Sequence, residues 1–319
     1  MGTNVCFFKR KSKRYFKILG IYMAKIGICG TGKMGSEIAK RLIDCKQEVT
    51  VWNRTKSKAE LLISDGVNIA ANIPELVKNN DIIFNIMGDD LALDYIYNSK
   101  EGINNCDLSN KIIIELSTTS VDKIKSISKI ITNLNGSFIE CPVGGSTKPA
   151  RDGNLFGLVG GDKKTFYKIE HILKLICRRC EYLGEIGKGA SMKLAINLPL
   201  MVYWQALGEA MSIATNSGIK FEKALDIMID SSGAAKVAHL KVDTMIQAMK
   251  NESNLLSTFS TSSSLKDMTL MLEEGKKNGN DLHVLHSAKS YVEKAINDGW
   301  SEHDASLMSV YINKKNLTQ

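Results

Sequence analysis

Lys193 and Asn197 are the two polar side chains whose type and spacing best suit acid–base chemistry. They stand four residues apart in a predicted helix, so both project from the same face. An amine in a mostly apolar cleft can donate a proton to a developing alkoxide, and burial adjusts the pKa of that amine. An amide one turn away can hold the same oxygen. Taken alone, the pair also fits two polar residues on a solvated helix face.

A glycine-rich segment follows the first predicted strand and has the spacing of a dinucleotide-binding turn. Gly30 makes the tight turn, Gly32 lets a pyrophosphate approach the backbone, and Gly35 lets the next helix pack against the strand. The N-terminus of that helix presents N–H groups and partial positive charge to the phosphates. A purely structural glycine-rich turn is the alternative. The predicted cofactor contacts in this segment also include Thr31, Lys33 and Met34.

Asn53, Arg54 and Thr55 follow the second predicted strand, where an NAD site carries an acidic residue for the ribose 2′-hydroxyl. The missing carboxylate removes the repulsion toward a 2′-phosphate, and the Arg54 guanidinium can bind that phosphate through two hydrogen bonds. These residues therefore predict NADP(H) as the preferred cofactor, with NAD bound at lower affinity. The alternative for Arg54 is a solvated surface side chain.

Two consecutive glycines, Gly144 and Gly145, follow another predicted strand and precede Ser146. Backbone N–H groups at such a turn can form a nest for an anion such as a carboxylate. A plain loop is the alternative. Lys266 and Asp267 lie at the predicted start of a later helix, and by themselves they indicate only a helix start.

The elements that hold these segments follow from short apolar runs that alternate with helical patterns, from about residue 25 to residue 183. This alternation implies crossover connections and a mostly parallel sheet with helices on both faces. The predicted strands are Lys25–Cys29, Glu48–Trp52, Val67–Ala70, Asp81–Ile86, Lys111–Leu116, Ser137–Glu140, Asn154–Val159 and Glu181–Leu183. The predicted helices between them include Met34–Cys45, Ser57–Ser64 and Val121–Leu134.

From Gly187 onward the strand signals disappear and long helical patterns replace them. We therefore predict an α/β, Rossmann-like doubly wound domain over residues 23–187 and an all-α domain for substrate binding and oligomerisation over residues 188–319. The predicted helices of the second domain cover residues 189–217, 221–231, 235–249, 265–278, 284–298 and 303–314, with a polar loop at 251–264.

The composition is that of a soluble globular protein of 319 residues, with 44% hydrophobic and 24% charged residues. The net charge of +8 belongs to the N-terminus, because residues 1–22 contain six cations and no acid. The remaining 36 basic and 34 acidic residues nearly balance. The charge pattern therefore predicts no nucleic-acid partner for the folded body, while a tail that binds phosphates stays open. No apolar stretch approaches the roughly 18 residues of a membrane-spanning helix, so no membrane partner is expected.

We interpret residues 1–22 as a non-structural extension ahead of a start at Met23, with a mitochondrial presequence as the alternative because the segment is basic and acid-free. The seven cysteines are scattered and odd in number, which favours thiols in a reducing compartment such as the cytoplasm. Cys177 and Cys180 form the one CxxC pair, and no second pair lies near them in the sequence. No metal site is therefore expected.

Together these segments resemble the β-hydroxyacid dehydrogenase family of 3-hydroxyisobutyrate dehydrogenases and glyoxylate, succinic semialdehyde and tartronate semialdehyde reductases. That family is related to 6-phosphogluconate dehydrogenase, and the resemblance runs from about residue 24 to residue 314. It implies that Lys193 is the catalytic lysine and that Asn197 orients the substrate. The residues that we assign with them to substrate or cofactor are Ser117, Thr118, Gly144, Gly145, Ser146, Lys266, Asp267 and Met87. Of these, Ser117 and Thr118 resemble the Ser-Thr pair that the family places at the nicotinamide.

Two departures from the family pattern matter. Gly144 stands where the family usually has a serine whose hydroxyl binds the substrate carboxylate, so that binding depends on backbone N–H groups and on Ser146. Pro199 lies inside the long helix just after Asn197, where a proline should kink the helix and release a carbonyl.

The resemblance implies an NADP(H)-dependent oxidoreductase that transfers a hydride between the nicotinamide and a small 3-hydroxyacid or semialdehyde acid. Glyoxylate or succinic semialdehyde reduction is an alternative, as is imine reduction, although imine reductases commonly replace the lysine. A non-enzymatic NADP-binding module with a basic tail is a further alternative. We also predict a homodimer or homotetramer, because the first helix of the second domain carries apolar residues on several sides. These are Leu198, Leu200, Met201, Val202, Trp204, Leu207, Met211 and Ile213.

Overall fold

The computed structural model of the chain describes residues 24–252 and 255–317. The basic segment 1–22 and the expected start at Met23 lie outside the described residues. The chain forms two compact units, of which the first ends at Ala190 and the second begins at Ser191. This division falls inside the first turn of a long helix, whereas the sequence placed the boundary at residue 187.

The first unit contains a sheet of nine strands among the described residues, in the order β3-β2-β1-β4-β5-β6-β8-β7, with β9 paired to β8. Strands β1 to β6 pair in parallel, and β8 runs antiparallel to β6 and β7 and parallel to β9. The predicted mostly parallel sheet is thereby confirmed. The strands are β1 Lys25–Cys29, β2 Glu48–Trp52, β3 Asn68–Ile69, β4 Ile82–Asn85, β5 Ile112–Glu115, β6 Ser137–Glu140, β7 Val143–Gly144, β8 Leu155–Gly161 and β9 Cys177–Gly184.

The register of the central strands aligns their carboxyl ends at one edge of the sheet. Cys29, the last residue of β1, pairs with Trp52 of β2 on one side and with Asn85 of β4 on the other. Asn85 in turn pairs with Glu115 of β5. In parallel α/β sheets ligands bind at this edge, so the loops that follow these four strands are placed where a cofactor site is expected.

Helices cover both faces of the sheet, because apolar side chains on each face need a partner layer. Ile28 and Leu42 belong to one buried cluster, and Ile83 and Tyr97 belong to another. The helices of this unit are α1 Lys33–Asp44, α2 Lys56–Glu60, α3 Ile73–Asn79, α4 Asp90–Asn98, α5 Val121–Asn133, α6 Thr147–Asp152 and α7 Lys163–Ile176.

The regular elements of the second unit are all helices within its described residues, as predicted. Its core includes Met211, Leu225, Met268 and Val292. Helix α8 continues through Pro199 as one element. The helices are α8 Lys188–Asn216, which starts within the first unit, α9 Phe221–Asp230, α10 Val242–Met249, α11 Thr261–Lys277, α12 His283–Asn297 and α13 Met308–Leu317.

Four predicted segments differ from the structure, and one strand was not predicted. The predicted loop 251–264 is too long, because the Ser260 hydroxyl accepts a hydrogen bond from the Ser263 amide and caps α11, which therefore begins at Thr261. Strand β7 was not predicted, and β9 begins at Cys177 rather than at residue 181. The predicted helices 235–249 and 303–314 each begin with a 3₁₀ turn, at Lys236–Lys241 and Ala305–Leu307.

Within residues 24–252 and 255–317, no helix is long and apolar enough to cross a bilayer. The same residues contain no group of three His, Cys, Asp or Glu side chains arranged to hold a metal ion.

Candidate active site

The glycine-rich turn after β1 has the backbone that a dinucleotide requires. Gly30 adopts a φ of +97°, and its amide donates to the Trp52 carbonyl oxygen at 2.8 Å, which ties the turn to the end of β2. A Cβ on Gly35 would overlap the Gly30 carbonyl oxygen, so only glycine lets α1 approach the turn this closely.

The same turn leaves room and donors for a pyrophosphate. A Cβ on Gly32 would meet nothing within 4 Å, and Gly32 supplies no side-chain cap to the first turn of α1. The Thr31 hydroxyl oxygen is buried and has no hydrogen-bond partner among the described residues. Because buried polar groups are normally satisfied, this unpartnered hydroxyl fits a ligand that completes it. The residues of the turn therefore fit the diphosphate of a dinucleotide.

Asn53 joins the glycine-rich turn to the loop after β2. Its side-chain Oδ1 accepts from the Thr31 amide at 3.0 Å, and its Nδ2 donates to the Thr55 carbonyl oxygen at 2.9 Å. A carboxylate at this position would lose the second bond, since it has no proton to donate. The Asn53 amide therefore ties the glycine-rich turn to the loop after β2. This role is additional to its lack of a negative charge, on which the prediction of NADP(H) was based.

A cavity of about 200 Å³ opens beside the end of β2. Arg54 is exposed at this cavity, and Lys56 adds a second cation that the sequence analysis overlooked. Trp52 and Tyr95 stack at its side, with ring centroids 6.2 Å apart and planes 6° apart. A cavity with two cations and aromatic side chains at the carboxyl edge fits a phosphorylated adenosine. It is lined by Trp52, Asn53, Arg54, Lys56, Ala59, Ile69, Ala70, Ala71, Tyr95 and Glu101.

Met87 and Ser117 come together where β4 and β5 end. The Met87 amide donates to the Ser117 hydroxyl oxygen at 2.7 Å. A Cβ on Gly30 would lie 2.8 Å from the Met87 methyl group, so the loop after β4 also touches the glycine-rich turn. Thr118 is half-buried next to Ser117. The residues assigned to the nicotinamide end are therefore neighbours of those assigned to the phosphates.

Gly144, Gly145 and Ser146 form a turn between β7 and α6. Gly144 is the last residue of β7 and pairs with Phe156, so it is part of the sheet. Gly145 is exposed with a φ of +124°, and the half-buried Ser146 makes no side-chain cap to α6. The anion nest was expected at Gly144 and Gly145. Because Gly144 pairs within the sheet, the amides left for an anion are those of Gly145 and the residues that follow it.

The second unit contains a chain of polar side chains centred on Lys193. The Lys193 Nζ donates to Asn197 Oδ1 at 3.1 Å, and Asn197 Nδ2 donates to Asp267 Oδ2 at 3.1 Å. Lys266 Nζ lies 3.2 Å from Asp267 Oδ1. Lys193 is 7% exposed and Asp267 is 2% exposed. A solvated helix face is therefore the wrong interpretation of Lys193.

The surroundings of Lys193 favour loss of its proton. Burial lowers the pKa of the ammonium, the negative charge of Asp267 raises it again, and the positive charge of Lys266 lowers it. An amine whose pKa lies below its ordinary value both donates and accepts a proton more readily near neutral pH. The geometry therefore suits a general acid–base group with an amide beside it.

The comparisons with known proteins cover both units. Residues 25–184 match the family model of the NAD-binding domain of 6-phosphogluconate dehydrogenase. Residues 187–312 match the family described as NAD-binding of NADP-dependent 3-hydroxyisobutyrate dehydrogenase. Glyoxylate/succinic semialdehyde reductase 1 of Arabidopsis thaliana is 30% identical over 282 residues, which are 88% of this chain and 96% of that protein.

The chain belongs to the β-hydroxyacid dehydrogenase family. It is accordingly an NAD(P)-dependent oxidoreductase with an NAD(P)-binding first domain. The chloroplastic glyoxylate/succinic semialdehyde reductase 2 of Arabidopsis thaliana is also 30% identical, over 88% of this chain and 77% of that protein. The crystal structure of 3-hydroxyisobutyrate dehydrogenase from Salmonella typhimurium shares the fold with a TM-score of 0.81, over 90% of this chain and 99% of that chain, at 19% identity.

Proposed function

We propose that this β-hydroxyacid dehydrogenase reduces a small aldehyde acid to the corresponding hydroxyacid with NADPH, and catalyses the reverse oxidation with NADP⁺. The observation that carries the proposal is the buried Lys193 amine, hydrogen-bonded to Asn197, in a chain of this family. The names of the two Arabidopsis relatives, which are 30% identical, support glyoxylate and succinic semialdehyde as the first substrates to test.

Arg54 and Lys56 are proposed to select the phosphorylated cofactor. Their cations line one cavity, and Asn53 supplies no negative charge that would repel a 2′-phosphate. The diphosphate would be held by the first-turn amides of α1, the open face of Gly32 and the Thr31 hydroxyl. When bound, the nicotinamide supplies the hydride for reduction or accepts it in oxidation.

Lys193 is proposed to move the proton of the reacting oxygen. In reduction the protonated Nζ donates to the carbonyl oxygen of the aldehyde, and in oxidation the neutral amine accepts the hydroxyl proton. Asn197 holds the substrate oxygen with the second N–H of its amide, since Asp267 accepts the first. Asp267 therefore fixes the orientation of Asn197, which leaves Oδ1 directed at Lys193.

The carboxylate of the substrate is proposed to bind the backbone amides at Gly145 and Ser146 together with the Ser146 hydroxyl. The left-handed backbone of Gly145 and the uncapped start of α6 support this assignment. Because a glycine stands at position 144, one hydroxyl contact that the family usually offers is absent. We expect aldehydes that lack a carboxylate to react more slowly.

The test is NADPH oxidation, followed at 340 nm, with a panel of aldehyde acids. Glyoxylate and the succinic, malonic, methylmalonic and tartronic semialdehydes form the panel, and succinaldehyde serves as a control without a carboxylate. We expect turnover with at least one acid and a lower kcat/KM for the control. Turnover only with a ketone plus an amine would replace the proposal with imine reduction, and binding of NADPH without any turnover would point to a non-catalytic module.

A further inference from the structure

A buried carboxyl group lies beneath the carboxyl ends of β1, β4 and β5 in the first unit. None of the roles assigned above uses it. Glu115, the last residue of β5, is fully buried. No salt bridge reaches it within residues 24–252 and 255–317; the titratable groups that face it are Tyr97 from α4 and Cys29 from β1. A buried carboxyl group without a cation is costly, so the hydrogen bonds that hold it must supply the compensation.

Both oxygens of Glu115 are held. The Tyr97 hydroxyl donates to Glu115 Oε2 at 2.7 Å, and Asn85 Nδ2 in turn donates to the Tyr97 hydroxyl oxygen. The Ser117 amide donates to Glu115 Oε1 at 2.9 Å. Because Asn85 ends β4 and Glu115 ends β5, this network joins the same two strand ends that the backbone pairs in register.

The network continues into the two loops above it. Ser117, whose amide is fixed by Glu115, uses its own hydroxyl oxygen to accept from the Met87 amide at 2.7 Å. One carboxyl group thereby sets the position of the loop after β5 directly and of the loop after β4 through one side chain. Burial raises the pKa of Glu115 to about 7, so the bonds to its carboxyl group become charge-assisted, which is the stronger kind, where the pH exceeds that value.

We propose that Glu115 is a positioning residue for the nicotinamide end of the cofactor, acting through Ser117 and Met87. The inference rests on the proposed function, because the family resemblance that supports that proposal also places Ser117 and its neighbour Thr118 at the nicotinamide. The adenosine end is proposed to bind elsewhere, at Arg54 and the adjoining cavity, and no hydrogen bond among the described residues joins Arg54 to this network. Loss of the Glu115 carboxylate should therefore affect one end of the cofactor only.

The experiment compares two ligands on Glu115→Gln and on the wild type. NADPH carries the nicotinamide, and 2′-phospho-ADP-ribose is the same molecule without it. At about pH 8.5, above the pKa of about 7 to which burial raises Glu115, we expect Glu115→Gln to raise the Kd of NADPH about tenfold, since a well-placed charged hydrogen bond is exchanged for a neutral one. The Kd of 2′-phospho-ADP-ribose should stay within about twofold of the wild-type value. Fluorescence titration or calorimetry measures both constants without turnover.

Two further variants protect the test against loss of folding. Tyr97→Phe keeps the buried ring but removes the hydroxyl that donates to Glu115 Oε2 and accepts from Asn85 Nδ2. It should show the same selective effect, with a smaller rise in the Kd of NADPH. Asp162→Ala removes the N-cap of α7, where Asp162 accepts from the Thr165 amide at 2.8 Å, and controls for a general loss of stability. It should bind both ligands as the wild type does.

Each outcome decides the inference. Equal weakening of both ligands in Glu115→Gln and Tyr97→Phe would show that the network supports only the fold, and unchanged binding of both would show that it positions nothing. A wild type that binds NADPH but reduces no aldehyde acid would overturn the proposed reaction alone, since the binding comparison does not use turnover. A wild type that fails to bind NADPH would overturn both.

Discussion

At the scale of single residues, the charges around Lys193 decide at which pH the enzyme works. Reduction requires the protonated amine, so the rate should fall as pH rises through the pKa of Lys193. Burial places that pKa below its ordinary value of 10.5, so the fall should begin at correspondingly lower pH. The alkaline limb of kcat/KM for reduction is the observable.

Two neighbouring substitutions should move this limb in opposite directions. Asp267→Asn removes the negative charge that raises the pKa of Lys193 but keeps an oxygen for Asn197, so the limb should shift to lower pH. Lys266→Gln removes the positive charge that lowers the same pKa, so the limb should shift to higher pH. If both variants left the pH profile unchanged, the proton donor would not be Lys193.

Also at the scale of single residues, Arg54 should determine the preference for NADPH over NADH. We expect Arg54→Ala to lower the preference for NADPH over NADH by about 10- to 100-fold in kcat/KM, since a charge-assisted phosphate contact contributes about 1.5–3 kcal/mol. The loss should appear in the KM for NADPH, while the KM for NADH stays the same. Lys168→Ala, an exposed lysine that does not line the cavity, removes the same charge and should preserve the preference. A wild type that uses both cofactors equally would refute the assignment of Arg54.

At the scale of elements, two substitutions in the glycine-rich turn should distinguish an effect on NADPH binding from an effect on the free energy of unfolding. Gly32 has a φ of −73° and open space around it, so Gly32→Ala should change the free energy of unfolding by less than about 0.5 kcal/mol. The new methyl group would occupy the approach to the α1 N-terminus, and NADPH affinity should fall at least about tenfold.

Gly35→Ala is the matched substitution in the same turn. A methyl group there would overlap the Gly30 carbonyl oxygen, so we expect a loss of about 1–3 kcal/mol or more in the free energy of unfolding. Denaturant titration of both variants and a binding titration of Gly32→Ala measure the contrast. Equal stability of the two proteins would mean that α1 does not pack against the turn as described.

Strands were predicted correctly where the pattern of apolar and polar residues along the sequence matches their burial in the folded chain. Strands β1, β2 and β6 have the predicted bounds because each contains a short run with buried apolar residues. Strand β9 was predicted to begin too late because Arg178 and Arg179 follow its first residue, Cys177, and their exposed charges are untypical of a buried strand. Two-residue β7 contains a glycine and carries no local signal at all.

In the candidate site, likewise, only contacts between residues close in sequence could be predicted. The contact between Lys193 and Asn197 could be predicted, since four residues along a helix is one turn. The contact between Asn197 and Asp267 joins residues 70 apart, and that between Tyr97 and Glu115 joins residues on different elements. No periodicity in a single sequence specifies such pairs, so the partner that orients Asn197 and the network under Ser117 appear only in the folded chain.

At the scale of the whole molecule, the oligomer remains a prediction. Met201, Trp204, Leu207 and Met211 of α8 are buried within the chain, whereas Ile213 is 78% exposed. Other large apolar side chains exposed in the second unit are Ile227, Leu240 and Val284. We expect a homodimer or homotetramer formed through the second unit, with the exposed Ile213 of α8 at its interface.

Light scattering at micromolar concentration tests this expectation. The wild type should scatter as a dimer or tetramer, and Ile213→Lys should shift the population toward the monomer without lowering the melting temperature by more than a few degrees. A monomeric wild type would contradict the prediction. A chain that begins at Met23 should assemble with the same number of subunits and show the same turnover, because the basic segment 1–22 precedes every motif of the site.

The measurement that tests the central claim most directly is single-turnover reduction of the best aldehyde acid by the NADPH-bound wild type and by Lys193→Ala, alongside the Kd of NADPH for each. General acid catalysis contributes about 10²- to 10⁴-fold, so the variant should lose at least about a hundredfold in rate. Its affinity for NADPH should be unchanged, because Gly30, Gly32, Gly35 and Arg54 lie in the other unit. A variant that keeps more than about a tenth of the wild-type rate would contradict the account, since the proton would then come from another group.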